Sequence, residues 1–143
     1  MSRSGYTDDW NNDWASICWR GAVSSAMRGK RGQAFLREML AALDKIESRR
    51  LIANRFMANG EVCAIGAVGA ARGFDMAIAD PEDYDNIAAA FGIAPALARE
   101  IMYLNDEGGF AETPETRYAR MRNWLIAEIA EPTPRKIPAT NWE

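Results

Sequence analysis

The chain has 143 residues, 48% of them hydrophobic and 26% charged, with a formal net charge of −3; these are globular proportions, long enough for one domain to bury a core without disulfide or metal staples. There is no histidine, which excludes a Ser-His-Asp triad, a Cys-His dyad and any zinc site with a histidine ligand. The only cysteines, Cys18 and Cys63, exclude a four-cysteine zinc cage, and their apolar surroundings read as buried, reduced thiols rather than as one disulfide.

Residues 1–9 are polar, and Asp8 and Asp9 precede any apolar run, which is not the pattern of a signal peptide. A first helix is expected from about Asn12 to Arg28, capped by Asn12 or Asp13, with Trp14, Ile17, Cys18, Gly21, Ala22 and Ser25 turned inward at spacings of three and four. Gly29 closes it. A second helix is expected from about Gln33 to Ile46 on the stripe Phe35, Leu36, Met39, Leu40 and Leu43. Arg49 to Ala58 reads as a third, shorter helix with Leu51, Ile52, Phe56 and Met57 inward, and Asn59-Gly60 is a turn or C-cap signal.

Glu61 to Arg72 is rich in small residues, and its alanines and glycines favour a closely packed helix over a strand. Cys63 and Gly66 should be structural there. Its apolar run, Val62 to Ala71, is too short to span a bilayer, so a soluble, cytoplasmic protein is expected. Asp80 with Pro81 marks a helix start running to Phe91 and stopped by Gly92. Another helix opens at Ala94 or Pro95 and runs to about Leu104, lined by Leu97, Ile101 and Leu104. Thr113-Pro114 starts a last helix to about Ala130, with Tyr118, Met121, Trp124, Leu125 and Ile129 inward. The expected fold is all-α: a compact single domain of five to seven helices over residues 1–131, followed by a proline-rich tail over 132–143.

Charge is unevenly placed. From Trp14 to Arg37 lie Arg20, Arg28, Lys30, Arg31 and Arg37 with no acid; from Gly73 to Ala98 lie Asp75, Asp80, Glu82, Asp83 and Asp85 with no base. The basic connector Arg28-Gly-Lys-Arg-Gly-Gln would combine helix-terminal amides with three cations and so could hold phosphate or an acidic protein face. It lacks the P-loop pattern. The competing reading is a solvated turn whose cations pair with the acidic section. Tyr6, Trp10 and Trp142 are interface candidates, because aromatic side chains dominate binding hot spots; folding back over their own core is the alternative.

Support for catalysis is thin. Glu100, Asp106, Glu107 and Glu112 gather near one loop and could serve acid–base chemistry, against the plainer reading of Asn105 and Asp106 as cap and turn residues. The cysteines lack a histidine base, and no metal or cofactor motif is present. The segments Trp19-Arg-Gly-Ala, Arg28-Gly-Lys-Arg-Gly-Gln-Ala-Phe-Leu-Arg-Glu, Gly60-Glu-Val-Cys-Ala-Ile-Gly-Ala, and Ile101 to Asp106 with Thr113-Pro-Glu together resemble a group of small phage- and prophage-encoded proteins of uncharacterised activity. The resemblance runs from about Trp19 to Ile129. It implies a cytoplasmic protein of the host cell that binds host or phage macromolecules, including defence complexes. Two functions follow as expectations: a non-enzymatic protein that docks on a host or phage protein, or a nucleic-acid-binding module using Arg20 to Arg37, the latter opposed by a pI near 5.1. A two-fold homodimer is also expected, with basic sections meeting acidic ones and Trp10 and Trp142 as apolar anchors.

Overall fold

The structure, a computed structural model, describes residues 13–76, 79–80, 82–109 and 111–130. Six helices are described: α1 (Asp13–Arg28), α2 (Lys30–Asp44), α3 (Ala64–Ala71), α4 (Tyr84–Phe91), α5 (Pro95–Asp106) and α6 (Pro114–Glu128). A two-stranded antiparallel ladder, β1 (Met57–Ala58) and β2 (Glu61–Val62), precedes α3, with Met57 opposite Val62 and Ala58 opposite Glu61. The architecture is all-α. Among the described residues no single helix is long and apolar enough to cross a membrane.

Helices α2 and α5 are central. The first packs against α1, α3 and α6, the second against α1, α3, α4 and α6. Between them lies one continuous core whose fully buried side chains include Leu36, Met39, Leu43, Leu51, Phe56, Ile65, Leu97, Ile101, Met102, Met121 and Leu125. Removing such a side chain to alanine costs about 2–5 kcal/mol through lost transfer energy and the cavity left behind. The periodic stripes of α2, α5 and α6 point inward as their spacing predicts, with Leu40, Leu104, Trp124 and Ile129 at the edge of the core.

The start signals are partly relocated. Thr113 caps α6 by accepting the Thr116 amide at 3.1 Å, with Pro114 at the first helical position. In α4 the cap is Asp83, which accepts the Asn86 amide at 3.2 Å. The expected cap Asp80 instead holds a turn through the Glu82 amide at 2.9 Å. At the other end Gly92 closes α4 in the left-handed conformation, φ 72°.

Three expectations are corrected. Arg49 to Ala58 is not a helix. Arg49 and Asn54 take positive φ, 53° and 66°, which interrupts any helical run. The backbone of this segment bonds outward instead: the Leu51 amide to the Pro114 carbonyl (3.1 Å) and the Ile52 amide to the Val62 carbonyl (3.0 Å). Leu51 and Phe56 still reach the core as expected, but from irregular chain. The second correction concerns Glu61 and Val62, expected to open a helix: they form β2, paired with β1 across a turn in which Asn59 and Gly60 take the two positive φ values, 54° and 80°, that such a hairpin requires, and α3 begins only at Ala64. Third, the α1 face expected to be buried is the outer one. Ile17 is 62% exposed, and Cys18, Gly21, Ala22 and Ser25 are exposed with it, while Val23, at 2%, takes the core side.

Candidate partner-binding surface

The basic connector is not a loop. Helix α1 ends at Arg28, Gly29 alone makes the break with extended backbone (φ −66°, ψ 160°), and Lys30, Arg31 and Gly32 already form the first turn of α2. Of the two glycines, Gly32 is the one the geometry requires. A Cβ on Gly32 would lie 1.8 Å from the Ala26 carbonyl oxygen, so only glycine allows the two helices to meet at so sharp a corner. Gln33 then ties the corner down. Its side-chain amide donates to the carbonyls of Met27 (2.8 Å) and Glu128 (3.1 Å), and its oxygen accepts the Ala130 amide at 2.8 Å. One side chain thus joins the end of α1, the start of α2 and the end of α6. Beside it a concavity of about 350 Å³ is lined by Ser24, Met27, Arg28, Gln33, Ala127, Glu128 and Ala130.

The five basic candidates separate into two groups. Arg20 is held by the buried carboxylate of Glu100 at 3.0 Å, and Arg37 donates to the Ala130 carbonyl at 2.5 Å; both are spent on holding helices together. Arg28, Lys30 and Arg31 are exposed at the corner, and none has an ion pair among the described residues. Most other arginines do: Arg50 with Glu61 and Glu115, Arg72 with Glu38, Arg122 with Asp44. No ion pair between described residues joins Arg28, Lys30 or Arg31 to Asp80, Glu82, Asp83 or Asp85. Lys30 and Arg31 also sit at the positive end of the α2 dipole with no acid in its first turn, where cations are mildly destabilising and a negative partner is favoured. The interface candidates Tyr6, Trp10 and Trp142 lie outside the described residues, as do the side chain of Trp14 and the tail over 132–143.

The carboxylates near the α5–α6 loop have structural partners. Glu112, its side chain 3% exposed, receives two hydrogen bonds from Arg120 (2.6 and 2.8 Å) and faces Arg117 at 3.3 Å. The Arg120 bonds, aided by the charges of Arg120 and Arg117, hold its carboxyl below the usual carboxylate range against the opposing effect of burial. A carboxylate so held cannot be a proton donor near neutrality. Arg120 also donates to the carbonyls of Leu104 and Asn105, closing the end of α5, and Arg117 donates to the Leu51 carbonyl. Asn105, expected as a helix cap, is inside α5 and 1% exposed; it accepts the Ala64 amide at 3.1 Å and donates to the Ile52 carbonyl at 2.9 Å. Asp106 accepts the Asn54 amide. These groups fasten the irregular 49–63 segment to the helices. Cys63 is buried and caps α3, its sulfur accepting the Gly66 amide at 3.3 Å. Cys18, expected to be buried, is exposed. Among the described residues no group of three or more cysteines and acids is placed to hold a metal ion.

One constellation escaped sequence reading. The Arg99 guanidinium lies between two rings, 4.4 Å from the centroid of Trp19 and 4.6 Å from that of Tyr84. It links α5, α1 and α4 through cation–π contacts. No local pattern announces it, because each member comes from a different helix.

Comparison of the chain with protein-family models, with curated proteins and with solved structures finds no match.

Proposed function

We propose that this protein is a non-enzymatic binding protein that presents the corner Arg28, Lys30 and Arg31 to an acidic face of a host or phage protein. The observation that carries this reading is that these three neighbouring, exposed cations have no carboxylate partner among the described residues, whereas half of the described arginines have one. The corner is rigid, because Gly32 and Gln33 fix it to α1 and α6, so little ordering free energy is lost on docking. The resemblance to phage- and prophage-encoded proteins adds the setting: a partner in the host cytoplasm, a defence complex among the candidates. The engagement of Glu100, Asp106 and Glu112 in ion pairs and hydrogen bonds supports binding over acid–base catalysis.

The nucleic-acid reading uses the same cations. It is weakened by the diversion of Arg20 and Arg37 to internal contacts, which leaves a footprint of three charges on a chain of net charge −3. The deciding experiment has two arms. Titration of duplex and single-stranded DNA at low and moderate salt should show no steep salt-dependent binding. Affinity capture from host lysate should retain a partner on the wild type that Lys30→Glu with Arg31→Glu loses. DNA affinity that falls steeply with salt and disappears in that variant would replace the protein-binding reading.

A further inference from the structure

We infer that the concavity between α1 and α6 is a binding site for a small zwitterion, a free α-amino acid with an aliphatic side chain. Its volume is about 350 Å³, and small-ligand sites begin at about 300 Å³. Three helix ends meet around it. Helices α1 and α6 finish there, at Arg28 and Glu128, and α2 starts there. Gln33 holds the three ends together. Its amide donates to the Met27 and Glu128 carbonyls and its oxygen accepts the Ala130 amide, so the wall is formed before any ligand arrives.

Charge selects the ligand. Arg28 and Glu128 both line the concavity, one from α1 and the other from α6. No ion pair joins them, and neither has another charged partner among the described residues. An anion alone would be drawn to Arg28 and repelled by Glu128; an amine alone would meet the reverse. A molecule that carries both charges satisfies both residues at once, its carboxylate on the guanidinium and its ammonium on the carboxylate, through charge-assisted hydrogen bonds. The helix dipoles act in the same sense. The carboxy-terminal ends of α1 and α6 favour the ammonium, and the amino-terminal end of α2, with no side-chain cap and no acid in its first turn, favours the carboxylate. Met27, Ala127 and Ala130 make the rest of the lining mostly apolar, which suits an aliphatic side chain. The site shares Arg28 with the corner proposed above for an acidic protein face but does not rest on that reading, because Lys30 and Arg31 are not among its lining residues.

An NMR titration of the full chain with L-leucine tests the site, against two analogues that each lack one charge: leucinamide, without the carboxylate, and isocaproate, without the ammonium. Leucine should give saturable shifts at the Gln33 side-chain amide and at the Ala127, Glu128 and Ala130 backbone amides. Each analogue should bind about tenfold more weakly or worse, the loss of one charge-assisted hydrogen bond. Arg28→Gln should erase the preference for leucine over leucinamide, and Glu128→Gln the preference over isocaproate, both with wild-type circular dichroism. Lys30→Glu with Arg31→Glu, the variant that breaks the corner, should still bind leucine, so the two proposals fail separately. Absence of saturable shifts at tens of millimolar leucine overturns the inference. Leucine binding no tighter than that of its two analogues overturns it equally, as does a preference that its matching variant leaves intact.

Discussion

Helices α1 and α3 look alike in sequence and behave oppositely in the fold. Each carries small residues at helical spacing around glycine, and each invites the reading of a tightly packed helix. In α3 every residue from Ala64 to Gly69 is buried, and a Cβ on Gly66 would lie 1.9 Å from the Phe56 carbonyl oxygen. In α1 the stripe through Gly21 faces outward with open space around it. The difference comes from what surrounds each helix. Short α3 is enclosed by α2, α5 and the hairpin, whereas α1 packs mainly against α2 and α5, and among the described residues its side through Ile17 and Gly21 is left exposed. A small-residue stripe marks a surface that permits close approach; which neighbour makes the approach is decided elsewhere in the chain.

The sharpest way to break this comparison is one substitution made at both glycines. Gly66→Ala should destabilise the protein by about 3 kcal/mol, because the clashing atom is backbone and cannot rotate away. Urea denaturation measures it, and a midpoint equal to wild type would mean that the 56–66 approach is loose. Next in size is the fastening of the irregular segment beside α3. Glu112→Gln should cost about 2 kcal/mol, since it leaves Arg117 and Arg120 facing a neutral group in a largely buried site. It should also change the acid limb. The folded-state pKa of Glu112 is depressed, so its contribution is present above the ordinary carboxylate value and is lost as pH falls through the lower, folded-state value. Stability measured from pH 5 downward should therefore decline less steeply in Glu112→Gln than in the wild type, and identical slopes would remove this role.

Smaller again is Thr113→Ala, which removes the cap of α6 and should cost about 1 kcal/mol in the same urea assay. Loss of less than a few tenths would show that Pro114 alone sets that helix start. The smallest effect closes the comparison. Gly21→Ala in dilute solution should raise stability by about 0.5–1 kcal/mol, the helix-propensity gain with no steric penalty. A destabilisation there would mean that α1 is covered in the monomer.

The sequence by itself determined the all-α class, the inward stripes of α2, α5 and α6, and several punctuation marks, among them Thr113-Pro114, Gly92 and Asn59-Gly60. These are local: side-chain periodicity and the φ values available to glycine, asparagine and proline depend on near neighbours alone. It misread 49–58, where Leu51, Ile52, Phe56 and Met57 imitate a helical face while the Leu51 amide bonds to Pro114, far along the chain, and the Ile52 amide to Val62 beyond the hairpin turn. Of the basic candidates, adjacency in sequence kept Arg28, Lys30 and Arg31 together; nothing local distinguished them from Arg20 and Arg37, whose partners Glu100 and Ala130 lie 80 and 93 positions away. The orientation of α1 and the Arg99 stack were decided only by tertiary structure, for the same physical reason. A helix with two comparably small or apolar sides buries the one its neighbours can fill, and ion pairs and ring contacts form only between groups that the completed packing brings within a few ångströms.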